Sequence, residues 1–278
     1  MAKKYIPTDE ELEQILSLYN NGMSLRQMEI KLHKTRKVLS RILKENEIHI
    51  RMTDETSRKY TFNENYFEKI DNEHKAYWLG FMYADGFIEA KRDNGNQKFG
   101  ITLSKEDKGH LEKFKQDLNA TYEIKDYQGS GFNKENWFSR LLITSQKTVD
   151  DLKKLGCVEQ KTKILKFPTE DQVPKEYQLA FIRGYLDGDG TIYKDNTNDK
   201  YIFGIIGTQD VVTKIHDILK LEVGIFEEHP ERCQGIYSFH ATCIKYYKSF
   251  CSLYDNATIY LERKYELYKI IKEKYSES

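Results

Sequence analysis

The 278-residue sequence has only four cysteines, four prolines and no excess of either charge. Cys157, Cys233, Cys243 and Cys251 form no CxxC pair and have no histidine at zinc-ligand spacing, which argues against a structural zinc site or a disulfide framework. They read as small buried or half-buried thiols in a reducing compartment. No apolar run approaches the roughly 18 residues of a membrane span, and the opening MAKKYIPTDEE has no apolar signal region. The expectation is a cytoplasmic protein with no membrane partner. With 44 Lys and Arg against 44 Asp and Glu the formal net charge is zero. A neutral total does not exclude a polyanionic partner, because a phosphate backbone meets a local face and not the average.

The charge is unevenly spread. Residues 31–44, KLHKTRKVLSRILK, carry six Lys and Arg and no acid, while Asp9, Glu10, Glu11 and Glu13 crowd an earlier segment. Thr8 with Glu11, and Ser24 with Gln27, have the capping-box spacing that starts a helix. Leu12, Ile15, Leu16 and Tyr19 then recur at helical spacing, with Gly22 as a stop. A short second helix follows with Leu25, Met28 and Leu32. Thr35 can cap a third helix whose inward face is Val38, Leu39, Ile42 and Leu43 and whose outward face is Arg36, Lys37, Ser40, Arg41 and Lys44. Three short helices ending in a basic one resemble a helix-turn-helix module, in which the last helix enters the major groove. A small helical bundle with a solvated basic face is the alternative. Residues 1–50 are assigned to this domain. The polar stretch 51–75 reads as a linker, with Arg51 and Arg58 free to touch phosphate.

The remainder is a duplication. AYWLGFMYADGFI (76–88) aligns with AFIRGYLDGDGTI (180–192) at an offset of 104 residues, pairing Gly80 with Gly184, Asp85 with Asp189 and Gly86 with Gly190. The same offset pairs Phe99-Gly100-Ile101 with Phe203-Gly204-Ile205. Each copy reads as a helix ending in Asp-Gly, two strands, a helix, two strands and a closing helix. The fold class is therefore α+β: the three-helix domain, then two pseudo-symmetric αββαββα units at 76–160 and 176–278. Residues 161–175, with Pro168 and Pro174, form the connector.

Within each repeated helix small residues stand four apart, Gly80 and Ala84 in one and Gly184 and Gly188 in the other. They share a face and let two such helices approach backbone to backbone. Glycine inside a helix costs about 1 kcal/mol against alanine, so a packing reason is expected. Side-by-side packing brings Asp85 and Asp189 together at the helix ends. Two carboxylates that close are unfavourable unless a cation lies between them. Mg2+, a hard ion that takes oxygen ligands and keeps several waters, is the natural occupant, with Mn2+ or Ca2+ as substitutes. Carboxylate-held metal facing a phosphate suits phosphodiester hydrolysis.

WLGFMYADG (78–86) and IRGYLDGDG (182–190) resemble the two copies of the LAGLIDADG motif of single-chain homing endonucleases, over roughly residues 76–275. The resemblance implies two halves meeting at the motif helices, each with a curved antiparallel sheet that straddles double-stranded DNA, in a monomer needing no protein partner. It implies that Asp85 and Asp189 bind metal, that the carbonyls of Ala84 and Gly188 are backbone ligands, and that the enzyme cuts a long, specific site. A DNA-binding regulator and an RNA-splicing maturase on the same fold are the alternatives. Tyr83 stands where the motif often has its first acid, which Asp187 keeps. Arg183 replaces a small residue and is expected to point away from the helix pair. Family members also carry basic or polar groups around the metals. Lys147 and Lys245, at the starts of the closing helices, and Lys105 with Gln209, paired at the offset of 104, are the candidates, with ordinary surface positions as the alternative. For DNA contact from the sheets the candidates are Lys91, Lys98, Thr102, Lys125 and Arg140 in the first half and Lys194, Lys200, Tyr237 and His240 in the second.

Overall fold

Capping chemistry starts the first three helices. Thr8 Oγ1 accepts from the Glu11 amide (3.3 Å) while Glu11 reaches back to the Thr8 amide (3.0 Å), opening α1 (Asp9–Asn20). Ser24 and Gln27 make the same reciprocal pair at α2 (Leu25–Leu32), and Thr35 caps α3 (Arg36–Glu45). Between α2 and α3 the chain turns through His33, Lys34 and Thr35, with His33 in the left-handed region at φ 54°. Ile15, Tyr19, Met28, Leu39, Ile42 and Leu43 form the core of these helices.

The computed structural model describes residues 5–21, 23–48, 60–91, 96–228, 231 and 234–276. The chain divides into two units, Met1–Tyr60 and Thr61–Ser278. Gly22, Arg51, Arg58 and Cys233 lie outside the described residues; the other three cysteines are free and buried.

Part of the stretch 51–75, expected as a linker, is folded, while residues 51–59 lie outside the described residues. Residues 61–72 belong to the larger unit: Thr61 exchanges backbone and side-chain hydrogen bonds with Thr121, and Tyr66, Phe67 and Ile70 are buried in the core. Their polar neighbours mask three apolar anchors spaced for a compact turn, so hydropathy averaged over the stretch misleads.

The larger unit repeats one topology. Helix α4 (Glu73–Ala84) leads into β1 (Gly86–Ile88) and β2 (Lys98–Ser104), then α5 (Lys108–Asp117), β3 (Lys125–Gln128), β4 (Trp137–Thr144) and α6 (Gln146–Lys154). The second copy runs α7 (Gln178–Asp189), β5 (Gly190–Asp195), β6 (Lys200–Thr208), α8 (Gln209–Ile218), β7 (Phe226–Glu227), β8 (Ile236–Thr242) and α9 (Tyr247–Tyr254). The antiparallel sheets are ordered β1-β2-β4-β3 and β5-β6-β8-β7. A further helix, α10 (Glu262–Tyr275), follows the expected pattern.

In both sheets one face is apolar and packed. Phe99, Ile101, Leu141 and Ile143 are buried in the first, and Phe203, Ile205, Phe239 and Ala241 in the second. This is the period-two alternation of a half-covered antiparallel sheet. Between the sheets α4 and α7 run together with almost every side chain buried, which explains their lack of amphipathic patterning.

Candidate active site

The approach of α4 to α7 depends on two glycines. A Cβ on Gly80 would lie 2.0 Å from the Phe181 carbonyl oxygen and 3.0 Å from the Tyr185 nitrogen; one on Gly184 would meet the Tyr77 oxygen at 2.0 Å and the Phe81 nitrogen at 3.0 Å. Phe181 and Tyr185 are the repeat mates of Tyr77 and Phe81, so the contact is reciprocal, as a two-fold axis between the helices requires. At the helix ends Gly188 packs against Ala84 and Asp85; a Cβ there would stand 2.3 Å from Ala84 Cβ and 3.5 Å from Asp85 Oδ2. The seam therefore delivers Asp85 and Asp189 to one place.

The two carboxyls respond to their setting and to each other. Packed protein around Asp189, and then the charge of Asp85, raise its pKa to about 6, against the pull of Lys161 and Lys264. Asp85 is exposed by area, but its Oδ2 is turned into the seam. Desolvation there raises its pKa, opposed by Lys264, Lys161 and Arg263. Neither carboxylate has a hydrogen bond or ion pair to a described residue. Beside Asp189 a recess of about 230 Å³ is lined by Tyr83, Ala84, Lys161, Tyr185 and Gly207, among others.

Two lysines that the sequence reading did not select complete the site. Lys161 donates to the Ala84 carbonyl (2.5 Å). Lys264 is buried, with 2% of its surface exposed, and donates to the carbonyls of Leu186, Asp187 (2.9 Å) and Gly190 (2.7 Å) at the end of α7. Burial lowers its pKa to about 8 although the charge of Asp187 opposes the shift. A cation at a helix C-terminus is favourable. Lys161 lies in the segment read as a bare connector, which also packs Leu165 and Val173 into the core. Lys264 lies on α10. The two lysines are 103 residues apart, one short of the repeat offset, and that near-register was the available signal.

The lysines singled out from sequence are engaged elsewhere. Lys147 pairs with Asp151 (2.8 Å) and Glu68 (2.9 Å), and Lys245 pairs with Glu222 (3.5 Å) and lies over the Tyr246 ring. Lys105 stands over Trp137 near Asp126, and Gln209 is the exposed first residue of α8. None of the four is among the charged groups that shift the two aspartates. Arg183, expected to point away from the helix pair, instead lies over the Tyr77 ring of α4. It is 4% exposed, donates to the carbonyls of Leu253 (2.6 Å) and Ile259 (2.9 Å) and pairs with Glu73 at the start of α4, tying the halves together. The Ala84 carbonyl, expected as a metal ligand, has the Lys161 ammonium on it.

Among the sheet candidates, Thr102, Arg140 and Lys125 are aligned across β2, β4 and β3 on the open face. Arg140 donates to Thr102 Oγ1 (2.9 Å) and the Tyr127 hydroxyl (3.1 Å) and lies over the rings of Phe87 and Tyr127. Lys98 is on the same face near Glu89, and Lys91 is exposed beyond β1. In the second sheet Lys200 and His240 have the parity of the open face. Tyr237 does not; it packs against the core beside Phe239. Lys194 is exposed, with the parity of core-facing Ile192, and pairs with Asp199 (2.6 Å). In the N-terminal unit Arg36 pairs with Glu29 (3.0 Å) and Arg41 bonds the Tyr5 carbonyl, while Thr35, Lys37 and Lys44 are exposed and Ser40 is half-buried.

Residues 176–228, from the approach to α7 through β7, match the family described as the LAGLIDADG-like domain. The matched stretch lies in the second repeat. Asp187, Asp189 and Gly188 lie inside it, and the first half repeats its layout. Among solved structures the chain is similar to the meganuclease I-SmaMI bound to uncleaveable DNA, at 13% identity over 71% of this chain and 88% of that one, with a TM-score of 0.48. It is also similar to the I-LtrWI LAGLIDADG homing endonuclease bound to target DNA, at 13% identity over 76% and 91%, with a TM-score of 0.48. A third likeness is to the LAGLIDADG meganuclease I-AabMI bound to uncleaved DNA, at 14% identity over 73% and 92%, with a TM-score of 0.44. No curated protein sequence matches the chain.

At the end of the seam Asp85 and Asp189 present carboxylate oxygens. No group of three or more His, Cys, Asp or Glu gathers as a metal cluster among the described residues. Two carboxylates without other partners suit a hard divalent ion that keeps waters, and not zinc, which wants four protein ligands or three with imidazole or thiolate among them.

Proposed function

We propose that the chain is a divalent-metal-dependent endonuclease that cuts double-stranded DNA at a long, specific site. The observation that carries this reading is the pair Asp85 and Asp189, held unpaired at one helix seam with two lysines beside them. Asp85 and Asp189 would hold Mg2+, with the Gly188 carbonyl within the same helix end. A bound divalent ion would polarise a phosphate and make water a better nucleophile. Lys161 and Lys264 supply positive charge where a phosphate gains negative charge. Tyr83 and Tyr185, whose hydroxyls donate to the Leu155 (2.6 Å) and Ile206 (3.0 Å) carbonyls, keep the walls of the recess rigid.

Both acids come from one chain, so a monomer is sufficient. Among the described residues no helix is long and apolar enough to cross a membrane. The open face of the first sheet, with Arg140 and Lys125, would meet DNA, and α3 would add an accessory contact through Lys37 and Lys44. Phosphate contact from these side chains gives affinity, and base-edge contact gives sequence choice.

The test is selection of bound duplexes from a randomised DNA pool in Ca2+, followed by transfer of the selected duplex to Mg2+. Mg2+-dependent double-strand cleavage is expected, lost in Asp85→Asn and Asp189→Asn with binding retained. Binding without cleavage by the wild-type protein would instead leave a DNA-binding regulator.

A further inference from the structure

Positions 83 and 187 are repeat mates with different chemistry. Tyr83 donates to the Leu155 carbonyl. Asp187 is fully buried and accepts from the Tyr77 hydroxyl (2.8 Å), the Tyr254 hydroxyl (2.6 Å) and the Leu261 amide (2.7 Å). A buried carboxylate is tolerated only when donors satisfy it, and here three do. Two of them stand on packed helices, α4 and α9. The third belongs to the residue directly before α10, a helix-capping position whose amide the helix itself does not use.

Three residues beyond that amide is Lys264, whose three N–H groups all end on carbonyls of Leu186, Asp187 and Gly190. Asp187 thus grips the start of α10 with its side chain, while its own carbonyl receives the lysine that α10 carries. The first half lacks this clamp. Lys161 is six residues past the carbonyl that Tyr83 holds, is half-buried, and has the Ala84 carbonyl as its one hydrogen-bond partner among the described residues.

We propose that Asp187 is a positioning residue, which anchors the Leu261 amide and thereby seats Lys264 against the end of α7, making the two lysines of the site unequal. The seating itself is independent of the endonuclease reading; its consequence for strand cutting rests on that reading.

The seating is tested on the full chain by reductive methylation with formaldehyde and cyanoborohydride, each lysine followed by peptide mass spectrometry. In Asp187→Ala the reactivity of Lys264 is expected to rise about tenfold or more while Lys161 changes by less than about twofold, as for a local opening. Asp187→Asn still offers an oxygen to the Leu261 amide and should keep Lys264 within about threefold of wild type. A Lys264 that stays protected in Asp187→Ala overturns the proposal. So does an Asp187→Asn variant as reactive as Asp187→Ala, since charge and not the amide anchor would then hold the lysine. Should Asp187→Ala fail to fold, hydrogen exchange at the Leu261 amide of the wild-type protein decides: slow exchange supports the anchor and fast exchange overturns it. On a selected duplex with each strand labelled, Asp187→Ala should slow one strand about tenfold and the other less than about twofold. Equal slowing overturns the inequality. A wild-type protein that cuts neither strand counts against the endonuclease reading and leaves the methylation result to judge the seating.

Discussion

One row of side chains separates the two sheets of the larger unit. Across the first, Thr102, Arg140 and Lys125 stand in register on the open face. Across the second, the same register holds Ile206, Ser238 and Phe226, with Ile206 and Phe226 exposed. The core faces of both sheets remain apolar and interchangeable in kind. A duplicated scaffold is held by burial on one face and is free to diverge on the other, because alternation keeps the two sets of residues apart. If both faces meet DNA, the first reads its half through charge and hydrogen bonds, and the second through apolar contact such as a thymine methyl.

The comparison breaks first at the seam that the halves share. Asp85→Asn and Asp189→Asn should each lower cleavage by roughly a hundredfold or more while duplex binding is kept, read by a cleavage time course beside a gel-shift titration. A variant that cuts normally would place the chemistry elsewhere. The helix contact itself is next. Gly80→Ala and Gly184→Ala force a methyl group into opposing backbone and should each cost about 3 kcal/mol or more in urea unfolding. Gly109→Ala, on α5 with nothing within 4 Å of its added carbon, should instead gain up to about 1 kcal/mol.

A third test concerns one half alone. His110 is buried against Tyr77, Trp78 and Phe81. The Tyr77 hydroxyl donates to Asp187, so His110 Nε2 carries the proton toward Tyr77, and its Nδ1 is buried without a partner among the described residues. Burial, with Lys113 and Arg263 nearby, lowers its pKa to about 3. Below the ordinary value of 6.5 the unfolded chain takes up a proton that the folded chain refuses, so this stability is present above pH 6.5 and lost as pH falls toward 3. The slope from this group is about 1.4 kcal/mol per pH unit. His110→Phe should flatten the acid side of the unfolding profile between pH 6.5 and 4 by that amount.

Smaller effects sharpen the contrast between the open faces. Arg140→Ala should weaken binding of the selected duplex by about 1–3 kcal/mol and relax choice at one base pair, while Ile206→Ala should cost less than about 1 kcal/mol. Equal losses would mean that the two faces do not differ in how they read DNA. Smallest, Lys37→Ala with Lys44→Ala should reduce the slope of log affinity against log salt by about 2, with the cleavage rate of bound DNA unchanged.

Legibility differed by kind of residue. Helix starts at Thr8, Ser24 and Thr35 were readable because capping is a local hydrogen bond. The seam was readable because Gly80, Gly184 and the two aspartates are repeated in register. Lys161 and Lys264 were not, since each reaches the site from a segment outside the repeated block and at an offset one residue off. Lys147, Lys245 and Lys105 occupied plausible positions, but Glu68, Glu222 and Asp126 are brought to them by folding, and Asp151 stands one helical turn from Lys147. Tyr237 and Lys194 failed on strand parity, which a shift of one residue in register reverses.

By itself the sequence determined the duplication, the αββαββα order of each half and the meeting of Asp85 with Asp189, because local capping, hydrophobic period and small-residue spacing act over a few residues. Tertiary structure alone decided which lysines stand beside those aspartates, that Arg183 and Asp187 are buried links between distant segments, and which strand residues share the open face. Those outcomes depend on contacts between segments distant along the chain, such as Lys161 with Ala84, 77 residues away, and Lys264 with Gly190, 74 residues away, and no local pattern records them.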